Sequence, residues 1–404
     1  MNSKIIIIAI VVLSGIYSLV LNIIRYHSAK NKTPENVSDV YDPETYEKWK
    51  KYSAEHCRLS LISSLITSAV LIVLLSTNVF SKFSSLFPQN LFMQLFAVIL
   101  LEAAVSSLLG AVEGYISTMV IEQKYGFNRS SIKTFAFDQI RSFILAIILS
   151  LAIGSVLLLY LLLGNWIILL FGCVMFLFTL VISFLYPIFS RIGNKFVPLE
   201  DGELKEKLMD LLNKHGYTVK AIEVMDASRR TTKSNAYFTG FGKMKTIVLY
   251  DNLLNNMTTD EICAVFAHEL GHGLNKDVMK KQILNVIYLF AMSVVAWFCV
   301  QEPALYTDFG FGGTNFGFAY VLIGIILGIV QPFIFLFVNA YSRIAEYKAD
   351  HQAVKEGYGK DLISALKKLS RENFAHLSPS KINVVLEYSH PPLSARIDAI
   401  EKKL

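Results

Sequence analysis

Seven long apolar runs constrain the fold of this chain more than any other feature. A transmembrane helix needs about 20 mostly apolar residues. Of the 404 residues, 53% are hydrophobic and only 17% are charged. The runs cover residues 5–24, 59–80, 91–120, 142–163, 166–189, 283–300 and 318–338. We therefore expect a mainly α-helical, multi-pass membrane protein with seven transmembrane helices.

The basic residues are distributed unevenly along the chain. With seven crossings, the loops after runs one, three and five share one side of the membrane with the C-terminal tail. That side carries all of the 38 Lys and Arg residues except Lys4 and Lys82. Basic loops stay in the cytosol, so this face is predicted to be cytosolic. The net charge of +6 is explained in this way, and no nucleic-acid partner is expected.

The order of apolar and polar segments divides the chain into four parts. These are spans one to five (1–189), an α+β insert (190–281), spans six and seven (282–341) and a polar tail (342–404). The insert is predicted to hold one amphipathic helix at 203–215 and strands at 221–225, 234–238 and 246–250. Gly240 and Gly242 are expected to join the last two strands.

The sharpest motif follows the insert strands. Thr258 and Glu261 form a capping-box signature, so a helix is expected to start there. That helix carries His268 and His272 at i and i+4, with Glu269 beside them. Two imidazoles one turn apart can bind one Zn²⁺, and the glutamate can reach a water on the metal. The alternative is a pair of polar residues on a solvated helix face.

A catalytic zinc site needs a third protein ligand. The tail offers Glu346 and Asp350, which are i, i+4 neighbours on a helix continuing the seventh span. One carboxylate could bind zinc while the other accepts a hydrogen bond from a ligand histidine. The alternative is that both are solvated charges of a juxtamembrane helix.

The third run carries two carboxylates, Glu102 and Glu113. They are eleven residues apart, which is three helical turns, so they share one helix face. Intramembrane carboxylates rarely face lipid. This face is therefore predicted to look towards a polar interior, and no catalytic role is expected for either residue.

Several further motifs resemble those of the CAAX prenyl protease 1 family of membrane gluzincins. They are VIEQKYGFN (120–128), SNAYFTGFG (234–242) followed by TIVLYD, HELGH, SRIAEYKAD (342–350) and SHPPLSAR (389–396). The order of these motifs and the seven spans are also similar. The resemblance covers nearly the whole chain from the third span onward and is weaker over the first hundred residues.

The resemblance implies a chamber enclosed by the seven helices and a small α+β zinc-protease domain on the cytosolic face. It implies that His268, His272 and Glu346 bind one Zn²⁺ per chain and that Glu269 is the general base. Asp350 would be the hydrogen-bond partner of a ligand histidine.

The resemblance also assigns the substrate-facing residues. His390 and Arg396 would lie near the metal and stabilise the oxyanion. Without the family, His390 before two prolines is more typical of an ordinary turn residue. The strand around Asn235 and Ala236 would be an edge to which a peptide adds through its main chain.

These features predict a zinc-dependent integral membrane endopeptidase that acts, as a monomer among membrane lipids, on prenylated CAAX-type or other membrane-associated peptides. The alternatives are a membrane quality-control protease without prenyl specificity, a protease that cuts transmembrane helices, and a non-enzymatic transporter with a structural zinc. The polar sequence around HELGH disfavours the second alternative, and Glu269 disfavours the third. The membrane would be the endoplasmic reticulum in a eukaryote and the inner (plasma) membrane in a bacterium.

Overall fold

The computed structural model describes residues 2–191, 194–239 and 246–404. Long helices dominate it. Within the described residues, six helical segments are long and apolar enough to cross a membrane. They are Ser3–Ser28, Pro43–Ser76, Leu91–Tyr125, Ile132–Trp166, Asp277–Gln301 and Phe316–Lys355. The prediction of a mainly helical, multi-pass membrane protein is confirmed.

The helices are numbered along the chain. The first eight are α1 (Ser3–Ser28), α2 (Pro43–Ser76), α3 (Val79–Ser84), α4 (Leu91–Tyr115), α5 (Gln123–Tyr125), α6 (Ile132–Leu158), α7 (Tyr160–Leu163) and α8 (Ile167–Ser190). A π-helical segment, Ile116–Glu122, joins α4 to α5. The others are α9 (Glu203–Lys214), α10 (Asp251–Asn256), α11 (Thr259–Leu274), α12 (Asp277–Gln301), α13 (Ala304–Thr307), α14 (Phe316–Lys355), α15 (Gly359–Glu372), α16 (Lys381–Glu387) and α17 (Leu393–Glu401).

The fifth predicted span, 166–189, falls on helix α8. Several side chains near the end of α8 lie outside the described part of the structure. The apolar stretch within its described part, Leu169–Ser183, is shorter than a full span. Six spans are therefore established by length and composition, and the seventh crossing stays a prediction.

Polar side chains start five of the long helices. In each case the side chain of the residue before the helix accepts a hydrogen bond from a first-turn N–H, which satisfies a donor that has no partner within the helix. These residues are Asn2, Asp42, Asn90, Ser131 and Asn315. The starts of α1, α2, α4, α6 and α14 are thus encoded locally in the sequence.

Lys4 and Lys82, the two basic residues outside the predicted cytosolic face, lie at one end of the helices. Lys4 Nζ donates a hydrogen bond of 2.7 Å to Asn78 Oδ1. Asn78 begins the short helix that carries Lys82. The contact joins the N-terminus of α1 to the α2–α3 turn, as the predicted topology requires.

The polar segments form an α+β module. Its strands are β1 (Phe196–Pro198), β2 (Ala221–Met225), β3 (Ala236–Thr239) and β4 (Thr246–Tyr250). Their order is β1-β2-β4-β3, with β2 parallel to β4 and both β1 and β3 antiparallel to their neighbours. Strand β3 therefore lies at an edge of the sheet.

The sequence predicted most of this module. Strands β2 and β4 have the predicted bounds, and α9 ends one residue early, at Lys214. Strand β3 starts at Ala236, two residues later than predicted. The predicted connection through Gly240 and Gly242 lies outside the described residues. Strand β1 was not predicted, because three residues that include a proline carry almost no alternation signal.

Among the described residues, the two largest hydrophobic clusters form the main cores. One lies among the membrane helices, and the other surrounds α11 in the α+β module and includes Trp49 of α2. Helix α14 connects these two cores. It runs for 40 residues without a break and carries both the last apolar run and Glu346. The prediction that the seventh span continues as a helix into the tail is confirmed.

Candidate metal centre

Helix α11 presents the HELGH motif and starts as the sequence predicted. Thr258 Oγ1 accepts a hydrogen bond from the Glu261 N–H at 3.3 Å, and the Glu261 carboxylate accepts one from the Thr258 N–H at 2.8 Å. This capping box fixes the start of the helix. Ser364 and Lys368 of α15 also donate to Glu261. The same carboxylate therefore ties α11 to the C-terminal part of the chain.

His268, His272 and Glu346 converge at one point between α11 and α14. His268 Nε2 lies 3.5 Å from Glu346 Oε2, and His272 Nε2 lies 3.3 Å from Glu346 Oε1. One ligand atom from each residue lies within 4.8 Å of the others. The structure thus brings together the three residues predicted to bind zinc.

Gly271 permits this close approach of the two helices. A Cβ at this position would lie 2.9 Å from the Ala349 Cα and 2.9 Å from the Gln352 Cβ of α14. Any larger residue would therefore push the helices apart. The glycine inside HELGH has a packing role that the sequence analysis did not single out.

The Nδ1 atom of each histidine in this cluster is hydrogen-bonded to a buried carboxylate. His268 Nδ1 lies 2.8 Å from Asp350 Oδ1, as expected for the predicted partner of a ligand histidine. His272 Nδ1 lies 3.0 Å from Asp277 Oδ2, and Tyr341 Oη donates to Asp277 Oδ1 at 2.8 Å. A carboxylate on Nδ1 places the proton there and leaves the Nε2 lone pair for a metal.

Asp277 was missed by the sequence analysis. It follows His272 by five residues, beyond the i+4 spacing of one helix face. Lys276 adopts a left-handed backbone conformation with φ of 55°, which ends one helix and starts the next. This sharp turn brings Asp277 back towards His272. The sequence Asn275-Lys276-Asp277 is typical of a turn, and this was the feature from which the contact could have been predicted.

The residues fit a zinc ion. Two imidazole Nε2 atoms and one carboxylate supply the three-ligand set of a catalytic zinc site. Among the side chains that the structure describes, Glu346 Oε2 is buried without a hydrogen-bond partner, although it points into the cluster. A buried carboxylate oxygen is costly to leave unpaired. A cation at this point would satisfy it.

Glu269 lies beside the cluster in a cleft of about 420 Å³. The cleft is lined by His268, Glu269 and Glu346, and it also reaches Asn235 and Ala236. Burial raises the pKa of Glu269, and the two neighbouring histidines oppose that rise. The carboxyl is therefore more basic than an exposed glutamate, which suits a group that must accept a proton.

His390 and Arg396 both reach the cluster, but their surroundings differ. His390 Nε2 lies 3.2 Å from Glu346 Oε1, and its side chain is 65% exposed. Desolvation by the cleft lowers the pKa of His390, and the nearby Glu346 carboxylate opposes that fall. Arg396 is buried and donates Nε and Nη2 to Asp350 at 2.9 and 2.6 Å. Only Arg396 Nη1 is directed towards Glu346, at 3.7 Å.

Strand β3 brings its main chain to the same cleft. The Asn235 C=O accepts a hydrogen bond from the Tyr250 N–H of β4 at 3.1 Å. Bonding directions alternate along an antiparallel strand, so the N–H and C=O of Ala236 face away from β4. The Ala236 N–H meets the side-chain oxygen of its own neighbour, Asn235 Oδ1, at 2.9 Å. The main-chain groups of Ala236 therefore face the open edge, where the N–H is bonded to the Asn235 side chain.

The two carboxylates of the third apolar run face cavities, as the sequence analysis predicted. Glu102 lines a largely apolar cavity of about 420 Å³ among the membrane helices. Glu113 lines a neighbouring cavity of about 370 Å³ and accepts a hydrogen bond of 2.5 Å from Ser63. Both carboxylates therefore line cavities among the helices, but the cavity at Glu102 is largely apolar, so the predicted polar character of this interior stays a prediction.

Comparison with known proteins agrees with this geometry. Residues 198–404 match peptidase family M48, and residues 22–191 match the CAAX prenyl protease N-terminal domain, described as five membrane helices. The chain is 37% identical to CAAX prenyl protease 1 homolog of Arabidopsis thaliana, covering 70% of this chain and 68% of that protein. It is 29% identical to CAAX prenyl protease 1 of Saccharomyces cerevisiae, covering 92% and 89%.

A solved structure is similar over the whole chain. The crystal structure of S. mikatae Ste24p superposes with a TM-score of 0.92, at 28% identity and with 99% of each chain covered. The two family matches together cover residues 22–191 and 198–404, which include the His268, His272 and Glu346 cluster. The chain belongs to the CAAX prenyl protease 1 family of membrane metalloendopeptidases, within peptidase family M48.

Proposed function

We propose that this protein uses zinc to hydrolyse a peptide bond near the C-terminus of prenylated CAAX-type substrates. The proposal is carried by one observation: His268 and Glu346 of the three-ligand cluster line the same cleft as Glu269 and the open edge of β3. The relatives are CAAX prenyl proteases by name, which favours a prenylated substrate over an unmodified one. The other expected contacts are membrane lipid and the substrate itself, with the protein acting as a monomer.

The proposed membrane arrangement has seven crossings. Helix α8 supplies the fifth, and the four-part division at residues 189, 281 and 341 follows from it. The distribution of Lys and Arg favours a cytosolic α+β module and tail. The membrane is then the endoplasmic reticulum in a eukaryote or the inner membrane in a bacterium.

His268, His272 and Glu346 would hold the zinc, while Asp350 and Asp277 fix the two imidazoles. The chemistry that Zn²⁺ supplies when bound is polarisation of the peptide carbonyl and a lower pKa for water. In this arrangement Asp350 acts through His268 and not on the substrate.

Glu269 moves the proton. Its carboxylate accepts a proton from the attacking water and then delivers it to the leaving amine, so the residue ends each cycle ionised. The raised pKa of Glu269 favours the first of these transfers. The balance of the step is one water consumed, one C–N bond broken, and one carboxyl and one amine formed.

His390 and Arg396 would stabilise the negative charge that develops on the carbonyl oxygen. His390 is the exposed donor, since its Nε2 lies at the cleft beside Glu346. Arg396 contributes through Nη1 and also compensates the buried charges of Asp350 and Glu346. Removal of Arg396 is therefore expected to disturb the whole cluster, whereas removal of His390 affects mainly turnover.

The substrate main chain is proposed to add to β3 as a further strand. The N–H and C=O of Ala236 would bond to the peptide, and Asn235 would release the Ala236 N–H. Main-chain pairing accepts many sequences, so selection of the substrate must come from elsewhere. The prenyl group is the distinguishing element proposed here.

The proposal is tested with purified, metal-analysed protein and two matched peptides, one farnesylated and one unmodified. We expect one equivalent of zinc per chain and faster cleavage of the farnesylated peptide. Glu269→Gln is the control, because it should keep zinc and lose turnover. Near-normal hydrolysis by Glu269→Gln would exclude the mechanism. Equal cleavage of the two peptides would exclude prenyl specificity and favour a quality-control protease.

A further inference from the structure

The segment before strand β3 is fastened to the end of a membrane helix. Lys233 Nζ lies 3.0 Å from Glu122 Oε1, at the last residue of the π-helical segment that follows α4. The hydroxyl of Tyr52, from α2, donates to the same oxygen at 2.6 Å. Glu122 is thus the meeting point of α2, α4 and the approach to β3.

The ammonium group of Lys233 also lies over two aromatic rings. It lies 5.2 Å from the centroid of Phe127 and 5.9 Å from that of Tyr52. The side chains of Glu122 and Lys233 are only 16% and 33% exposed. A cation on aromatic faces with a half-buried carboxylate is held more firmly than a surface ion pair.

The main chain of the segment is fixed at neighbouring positions. Asn252 Nδ2 donates to the C=O of Thr231 at 2.8 Å and to that of Lys233 at 3.1 Å. Ser234 Oγ donates to Glu372 of α15 at 2.5 Å. Two and three residues after Lys233, Asn235 and Ala236 line the cleft. The ion pair of Lys233 with Glu122 is therefore connected through a fixed main chain to the edge of β3 that faces the metal centre.

We propose that Lys233 and Glu122 are positioning residues that hold the edge of β3 in the conformation that pairs with the substrate main chain. They do not touch the reacting atoms. They act through Asn235 and Ala236, by keeping the main-chain groups of this edge in place for binding. The inference rests on the proposed function, in which a peptide adds to β3.

The test compares steady-state kinetics of full-length variants with the farnesylated peptide. Lys233→Met and Glu122→Gln remove the ion pair, and Lys233→Arg keeps the charge. Lys367→Met is the matched control, because Lys367 pairs with Asp39 at 2.8 Å, is 25% exposed and does not line the cleft. We expect KM to rise about tenfold in the first two variants with kcat within about twofold, because binding remote from the scissile bond is weakened. Lys233→Arg and Lys367→Met should resemble wild type.

Hydrogen exchange separates this inference from the proposed function. Amides of residues 236–239 should exchange faster in Lys233→Met than in Lys367→Met, at equal zinc content. Unchanged KM in Lys233→Met, or a fall in kcat at constant KM, would overturn the positioning role while leaving the protease intact. Zinc-independent or absent hydrolysis by wild type would instead refute the proposed function. Equal exchange of the amides of residues 236–239 in Lys233→Met and Lys367→Met would overturn the positioning role of Lys233, whatever the proposed function.

Discussion

Helix α11 and strand β3 meet at the same cleft but are built in opposite ways. Ten of the 16 residues of α11 are buried, and its two histidines are each held by a carboxylate. Strand β3 lies at the edge of the sheet and presents main-chain groups. In the proposed function, the metal-binding side needs fixed donors with little water, whereas the peptide-binding side needs an open backbone.

This contrast predicts different kinetic consequences for the two regions. A change at or behind the two histidines of α11 should alter metal content or kcat, because these groups are proposed to act on the reacting atoms. A change in β3 should alter KM, because main-chain pairing is made equally in the ground state and the transition state. Three predictions test this division and a fourth concerns the stability of α11, from the largest effect to the smallest.

The largest effect is expected from His268→Ala. Loss of one imidazole should release the metal and reduce kcat/KM by on the order of 10⁴-fold, since both the metal and its bound water are lost. Metal analysis and peptide hydrolysis measure this directly. Glu269→Gln is the comparison, with a similar loss of turnover at full metal content. A His268→Ala protein that retains one equivalent of zinc would contradict the ligand assignment.

Asp277→Asn should weaken metal binding about 10- to 100-fold, because His272 loses the carboxylate that orients it. The measurement is zinc retention during titration with a chelator. Once saturated with zinc, the variant should recover most of its activity. Tyr341→Phe, which removes only the hydrogen bond to Asp277, should show a smaller loss of affinity. Equal zinc affinity of Asp277→Asn and wild type would refute the orienting role.

Ala236→Pro tests the open edge. The Ala236 N–H faces away from β4, so a proline there removes no ladder hydrogen bond and is tolerated at an edge. The variant loses the donor offered to the peptide, and KM should rise about tenfold with kcat largely retained. Ala236→Gly, which keeps the N–H, serves as the control. A tenfold fall in kcat at unchanged KM would break the proposed division between the two regions.

The smallest effect concerns the start of α11. Burial alone would raise the pKa of Glu261, but hydrogen bonds from Lys368, Ser364 and the Thr258 N–H lower it. A lowered folded-state pKa stabilises the fold above the unfolded value, about pH 4.3, and this stabilisation is lost as pH falls through the folded pKa. Glu261→Gln should therefore lower stability at pH 7 by about 1 kcal/mol.

Thermal unfolding in detergent at pH 7 and pH 4 measures this effect. The difference between wild type and Glu261→Gln should shrink at the lower pH. A difference that grows with acidity would contradict the assigned ion pair. The activity of the folded variant at pH 7 should be unchanged, because Glu261 does not line the cleft.

The metal centre could be predicted largely from the sequence because its key spacings are local. His268 and His272 are one turn apart on α11, and Glu346 and Asp350 are one turn apart on α14. Helical periodicity alone puts each pair on one face. That the two pairs face each other came from the family resemblance, since spacing along the chain carries no information about distant helices.

Other parts depend on tertiary contacts and were not predicted. Asp277 reaches His272 only because Lys276 adopts a left-handed conformation. The dominant partner of Arg396 is Asp350, 46 residues away, and no local pattern indicates that pair. The edge position of β3 was expected only from the family resemblance, because the order of the strands in the sheet depends on how distant segments pair.

The continuity of α14 has a practical consequence for anyone who purifies this protein. The helix that supplies Glu346 also exposes Phe333 and Phe337, which are 69% and 70% accessible. These rings lie about three helical turns before Glu346 on the same helix. We therefore expect detergent chain length and lipid thickness to affect zinc content and turnover as well as solubility, and kinetic constants should be compared only within one amphiphile.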